Sequence, residues 1–177
     1  MEPRVTDRPY SILILCTGNT SRSVMAEALF NVLGNGRFRA YSAGSRPAGV
    51  VNPFAIEQCA ALGYDTSQLR SKSWDEFARP DAPQMDFVLT VCDAAAGEAC
   101  PVWPGRPITA HWGFEDPAAC AGSDDEKRSV FDKVRRQIAH RVSRFLALPL
   151  DALDRDAIRH AMRAIGEEPG QACDERH

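Results

Sequence analysis

Cys16-Thr17-Gly18-Asn19-Thr20-Ser21-Arg22-Ser23 lies between a short apolar run, Ile12-Leu13-Ile14-Leu15, and a helix-prone segment, Val24-Met25-Ala26-Glu27-Ala28-Leu29-Phe30. A strand that feeds a tight loop opening a helix aims several backbone N–H groups, and the positive end of the helix, at one point. Such a point is an anion cradle, here lined by Thr17, Gly18, Asn19, Thr20, Ser21, Arg22 and Ser23. Arg22 adds a planar fork suited to two oxygens of a tetrahedral oxyanion. Cys16 lies beneath that anion, where the same field favours its thiolate, so a nucleophile at neutral pH is expected. A lone cysteine would read as a buried hydrophobe. A cysteine, glycine, asparagine, arginine and serine falling together before a helix read instead as a site.

Working outward, Ser11 to Leu15 reads as a strand buried on both faces, as in a parallel sheet. The first helix is expected from about Ser21 to Leu33, ended by Gly34-Asn35-Gly36. Phe38 to Ser42 alternates and suits a second strand. Asn52-Pro53 is a helix start, with Asn as cap and Pro in the first turn; Cys59 lies on that helix's apolar stripe and reads as core. Met85 to Val91 forms a third strand that delivers Cys92 at its end, and Pro107 to Ala110 a short fourth. Asp124 to Leu148 carries Val130, Val134, Ile138, Val142, Phe145 and Leu146 on one face, as an amphipathic helix closed by Pro149. Strands alternating with helices predict an α/β fold: an open four-stranded parallel sheet, doubly wound, with helices on both faces. In such sheets the site lies outside the carboxyl ends of the strands, where Cys16 and Cys92 both fall. A first domain is expected over 1–150. Residues 151–177 read as a helical extension with a polar tail, in which Cys173 is incidental.

The chain has 177 residues, a net charge of −3, 44% apolar and 25% charged residues. Basic residues are dispersed, which excludes a nucleic-acid partner. The polar start and short first apolar run predict neither a signal segment nor a membrane span, hence a cytoplasmic protein; a monomer is expected. The six cysteines lack paired C-x2-C spacing and the four histidines lack ligand spacing, so no metal is expected. In a reducing compartment, nucleophilic or redox use of some cysteines is favoured over a disulfide framework. Cys92 and Cys100 bracket the small, flexible segment DAAAGEA, short enough to bend so that the two could meet as a disulfide.

Cys-x5-Arg-Ser after an N-terminal strand resembles the low-molecular-weight tyrosine phosphatase superfamily, and CTGNTSRSVMAE is similar to its arsenate reductase branch. HWGFEDPAAC, His111 to Cys120, adds to that resemblance. It implies that Asp116, before Pro117, is the general acid protonating the oxygen that leaves the tetrahedral centre. His111 and Trp112 read as supports of that loop, and Cys120 as a weaker alternative redox partner. In some relatives a potassium ion lies beside the loop asparagine, held partly by an aspartate. Alignment places Lys72 there, so its ammonium is expected to replace the ion and to stabilise the loop with Asn19, Glu27 and Ser42. Ser21 stands where some relatives carry a further cysteine, which removes one route to unwanted oxidation.

The resemblance implies arsenate reduction: Cys16 attacks arsenic, and a Cys16–Cys92–Cys100 disulfide relay resets it. Phosphate would compete without turnover. No bound cofactor is implied, only an external thiol reductant, thioredoxin or glutathione with glutaredoxin. Two alternatives stand beside this. A low-molecular-weight tyrosine phosphatase would use Cys16, Arg22 and Asp116 and leave Cys92 and Cys100 idle. A redox or oxyanion sensor would dock a partner through the C-terminal extension.

Overall fold

The computed structural model describes residues 8–92 and 103–168. Cys100 and Cys173 therefore lie outside the described residues.

Strand β1, Tyr10–Cys16, is buried at all seven positions, as a two-faced apolar run requires when sheet neighbours flank it on both edges. It pairs in parallel with β2, Phe38–Gly44, on one side and with β3, Phe87–Thr90, on the other. β4, Ile108–His111, closes the far edge, giving the order β2-β1-β3-β4 with every pair parallel. The chain switches direction between β1 and β3, so the crevice outside their carboxyl ends is the topological switch point.

Alternate side chains of the strands build two cores. Ile12, Ile14, Phe87 and Leu89 face the α-helical layer, made of α1 (Arg22–Leu33), α2 (Pro53–Ala61), α3 (Asp124–Leu146) and α4 (Arg155–Glu167). Phe30, Phe38, Phe87, Trp112 and Phe145 form an aromatic cluster there, with ring centroids 5.2 to 6.3 Å apart. Leu13, Leu15 and Val88 point to the other face, which the 3-10 helix Trp74–Phe77, Met85 and Trp103 cover. Helical segments thus flank both faces, with the α-helices among the described residues all on one.

Local signals place the ends. Asn52 accepts from Phe54 N–H at 2.9 Å, with Pro53 in the first turn. Ser123 and Glu126 form a reciprocal capping box at the start of α3, and Asn35 and Gly36 take positive φ after α1. The last helix starts later than its sequence suggests. Pro149 feeds a 3-10 turn over Leu150–Ala152, and Asp154 rather than Asp151 caps α4 by accepting from Ala157 N–H. Ile158, Met162 and Ile165 then bury one side of α4 in the same core as β4 and α3. Cys59 is fully buried against α1. Among the described residues no helix is long and apolar enough to cross a membrane.

Candidate active site

The loop after β1 is turned inside out by its neighbours. Thr17 O accepts from Arg46 N–H at 2.9 Å, Gly18 O from Ala48 N–H at 3.1 Å and from the Ser71 hydroxyl at 3.0 Å, and Thr20 O from Asn52 N–H at 3.0 Å. In a trans peptide the C=O and N–H point oppositely, so the amides of Gly18, Asn19 and Ser21 face the other way, into the loop. α1 opens directly behind them at Arg22, and Ser21 adds no side-chain cap to its free N–H groups. Inward amides backed by an uncapped helix start suit an anion. Gly44, paired with Cys16 in the sheet, makes room for it: a Cβ there would meet Thr17 O at 2.4 Å and Cys16 O at 2.9 Å.

Asn19 holds the loop from inside. It is fully buried at φ 51°, a left-handed conformation that asparagine tolerates better than most residues. Its Nδ2 donates to Ser23 Oγ at 2.9 Å and to Ser42 Oγ at 3.0 Å, and its Oδ1 accepts from Lys72 N–H at 2.9 Å. The Ser42 hydroxyl donates to Glu27 Oε1 at 2.6 Å, and Tyr64 OH donates to Glu27 Oε2 at 3.3 Å. Lys72 Nζ lies 4.0 Å from Glu27 Oε1 and donates to Arg70 O at 3.2 Å. Burial pushes the Glu27 carboxyl above its ordinary range while Lys72 pulls it back, and burial pulls Lys72 down while Glu27 supports it. The charged group of opposite sign beside this carboxyl is Lys72, from the chain itself.

Arg22 projects from the first turn of α1. Its Nη1 donates to Phe114 O at 3.0 Å and its Nη2 lies 3.8 Å from Asp116 Oδ2, while its buried Nε has no acceptor among the described residues. An orphaned guanidinium N–H beside a ring of inward amides is suited to an incoming oxyanion. Asp116 is half-exposed, caps the short turn Pro117–Ala119 through Ala118 N–H, and so faces the same opening as Arg22.

The cysteines separate by position. Cys16 and Cys92 are both buried at the switch point. Thr17 N–H donates to Cys92 Sγ at 3.3 Å, and the Cys92 thiol also hydrogen-bonds with Cys16. That contact corrects one expectation. The Cys92 thiol and burial push the Cys16 thiol up, outweighing the pull of Arg22 and the Thr17 amide, so Cys16 is not poised as a thiolate at neutral pH while Cys92 rests against it. Cys120 is only partly buried, in the turn after Asp116. Residue patterns alone do not single out Tyr64, Gly44, Phe114 or Arg141. Arg141 carries a signal nonetheless, since it stands seven residues after Val134 and three after Ile138, on the buried stripe of α3.

The model of the family described as low molecular weight phosphotyrosine protein phosphatase matches residues 11–159. The chain belongs to this family. Among relatives of this phosphatase family, an arsenate reductase of Halalkalibacterium halodurans is 40% identical over 134 residues, covering 76% of this chain and 93% of the relative. One from Bacillus subtilis is 37% identical over 134 residues, with the same 76% and 93% coverage. A solved structure described as an arsenate reductase in the phosphate binding state superimposes with a TM-score of 0.59 at 29% identity, covering 78% of this chain and 97% of that one. The four-stranded parallel sheet with its helices is thus the family's fold.

Proposed function

We propose that the protein is an arsenate reductase. The observation that carries this reading is the Cys92 sulfur lodged against the Cys16 loop, bonded to Thr17 N–H and to the Cys16 thiol. A phosphatase needs one cysteine at this point; a reductase needs a second sulfur within reach of the first. The curated relatives are arsenate reductases, which supports the same substrate here.

Arsenate lies in the inward amides with Ser23 and with Arg22, whose guanidinium offsets part of its charge. Cys16 sulfur attacks arsenic as a thiolate once Cys92 gives way to the anion. Asp116 donates its proton to the departing oxygen, which leaves as water. The Cys92 thiolate then attacks Cys16 sulfur. The Cys16–arsenic bond breaks with its electron pair remaining on arsenic, which leaves as arsenite, and a Cys16–Cys92 disulfide forms. Cys100, outside the described residues, attacks Cys92 sulfur and frees Cys16, and an external thiol reductant reduces Cys92–Cys100. Phosphorus accepts no electron pair in this way, so phosphate competes without turnover. The structure solved in a phosphate binding state supports that competition. Thioredoxin, or glutathione with glutaredoxin, is the reductant class. Lys72 takes the place of a potassium ion, so turnover in potassium and sodium salts should be equal.

The test is arsenate-dependent NADPH oxidation with thioredoxin and glutaredoxin systems side by side, alongside an aryl phosphate assay under reducing conditions. Multiple turnovers of arsenate and feeble phosphate-ester cleavage are expected. Full arsenate turnover by a Cys92→Ser or Cys100→Ser protein would refute the relay.

A further inference from the structure

Helix α4 reaches back to the loop that carries Asp116. Its later residues lie beyond residue 159, where the family match stops. Met162 O accepts the Trp112 indole N–H at 2.9 Å. Gly166 has its backbone so near the loop that a Cβ would come within 2.4 Å of His111 O and 2.6 Å of Trp112 Cδ1. Glu168, at the end of the helix, accepts through its backbone O from Arg141 Nη2 at 3.1 Å, and its carboxylate pairs with Arg144 at 3.2 Å.

Arg141 links this helix end to the acid loop. Its Nη1 donates to Gly113 O at 3.0 Å, and its guanidinium lies 4.8 Å from the centroid of the Phe114 ring. Phe114 O accepts from Arg22 Nη1, and Arg22 Nη2 faces Asp116. Two arginines from different helices thus hold adjacent carbonyls of one short loop, Arg141 from behind and Arg22 from the site. Arg141 is 8% exposed, so this is a built contact rather than a surface one. A planar fork can bridge the fixed carbonyls of Gly113 and Glu168, which a lysine ammonium cannot do in the same geometry.

We infer that Arg141, clamped by the carboxyl end of α4, is a positioning residue that sets the Asp116 loop against Arg22. The inference rests on Asp116 acting as the general acid. The C-terminal helix is then a brace for the acid, and loss of the brace lowers proton delivery to the leaving oxygen while oxyanion binding is spared.

The test uses the full-length protein with Arg141→Met, Arg141→Lys and Gly166→Val. Thermal midpoints establish that each variant is folded. For Arg141→Met and Gly166→Val, kcat should fall about 10- to 100-fold for arsenate. The inhibition constant of phosphate should stay within about twofold, because no cradle group has been altered. With aryl phosphates, the rate should depend more steeply on leaving-group pKa than in wild type, the signature of an acid that no longer delivers its proton; a purely structural role would not move that slope. Arg141→Lys should restore part of kcat. A folded Arg141→Met protein with the wild-type slope overturns the inference, as does phosphate affinity lost in step with kcat. If wild type turns over neither arsenate nor aryl phosphates, the reading of the site fails, and amide hydrogen exchange decides the brace. Faster exchange over 113–119 with unchanged exchange over 16–23 in Arg141→Met supports it, and unchanged exchange over both overturns it.

Discussion

Thr17 donates its backbone N–H to the sulfur of Cys92 at 3.3 Å, across 75 residues of sequence. The same sulfur hydrogen-bonds with Cys16 and raises its pKa more than burial does. The second thiol and burial thus oppose ionisation of Cys16, which Arg22 and the Thr17 amide favour.

Removing Cys92 tests that relationship directly. In Cys92→Ala the strongest influence raising the Cys16 pKa is gone, while Arg22 and the Thr17 amide still lower it. The pH midpoint for alkylation of Cys16 by iodoacetamide should fall, even as multiple-turnover arsenate reduction disappears. A midpoint unchanged or raised would contradict the assignment of Cys92 as the group holding the proton on Cys16.

Asp116 is held by Ala118 N–H and faces Arg22, and it takes no part in lining the cradle. Asp116→Asn should cut kcat by about 10²- to 10⁴-fold, the usual contribution of a general acid. Phosphate inhibition should be nearly unchanged. Isothermal titration with phosphate alongside steady-state kinetics separates the two effects.

The Glu27–Lys72 pair is buried, with each side chain 8% exposed. Lys72→Met leaves a buried carboxyl whose hydrogen bonds come from Ser42 and Tyr64 and which has lost its cation, and unfolding by urea should show a loss of about 3 kcal/mol. The pH dependence has a definite sign. The folded-state pKa of Glu27 lies above its ordinary 4.5, so the stability linked to this group is complete below pH 4.5 and lost as pH rises through the raised value. Glu27→Gln removes that linkage, so the stability of wild type relative to the variant should decrease between pH 4.5 and 7.

Gly44 is needed for lack of a side chain. In Gly44→Ala the added methyl would press on Thr17 O and Cys16 O, both backbone atoms that cannot swing aside. A loss of about 1–3 kcal/mol in stability is expected, as for other overpacked sites. Phosphate affinity should drop with it, because the displaced atoms belong to the cradle. Calorimetric melting with and without phosphate reads both quantities, and a ligand-induced rise in Tm equal to wild type would show that the loop had not moved.

Much of the site is legible in the residues themselves, for reasons local to the chain. The spacing of Cys16 and Arg22 around Gly18 and Asn19 dictates a strand, a tight loop and a helix start. Asn52-Pro53 dictates a cap because Asn can bond the free N–H of Phe54. The start of α4 is less legible, because Asp151 and Asp154 are both plausible caps and the 3-10 turn after Pro149 selects the second. The upward push on the Cys16 thiol could not be read from the loop, since Arg22 and the Thr17 amide pull it down, while the opposing Cys92 thiol and burial come from the rest of the fold. Arg141 looks like one more charge on a helix rich in arginine, although its place on the Val134–Ile138 stripe marks it as a buried cation that needs partners.

By itself the sequence determined the elements and the strand–loop–helix course around Cys16, because turns, caps and apolar periodicity depend on neighbours a few residues apart. The tertiary structure alone decided that the Cys92 sulfur rests on Thr17 N–H, that Tyr64 joins Ser42 on Glu27, and which carbonyls receive Arg22 and Arg141. Those partners stand tens of residues apart, and only the parallel order β2-β1-β3-β4 brings the carboxyl ends of β1 and β3 side by side, setting Cys92 against the loop after Cys16.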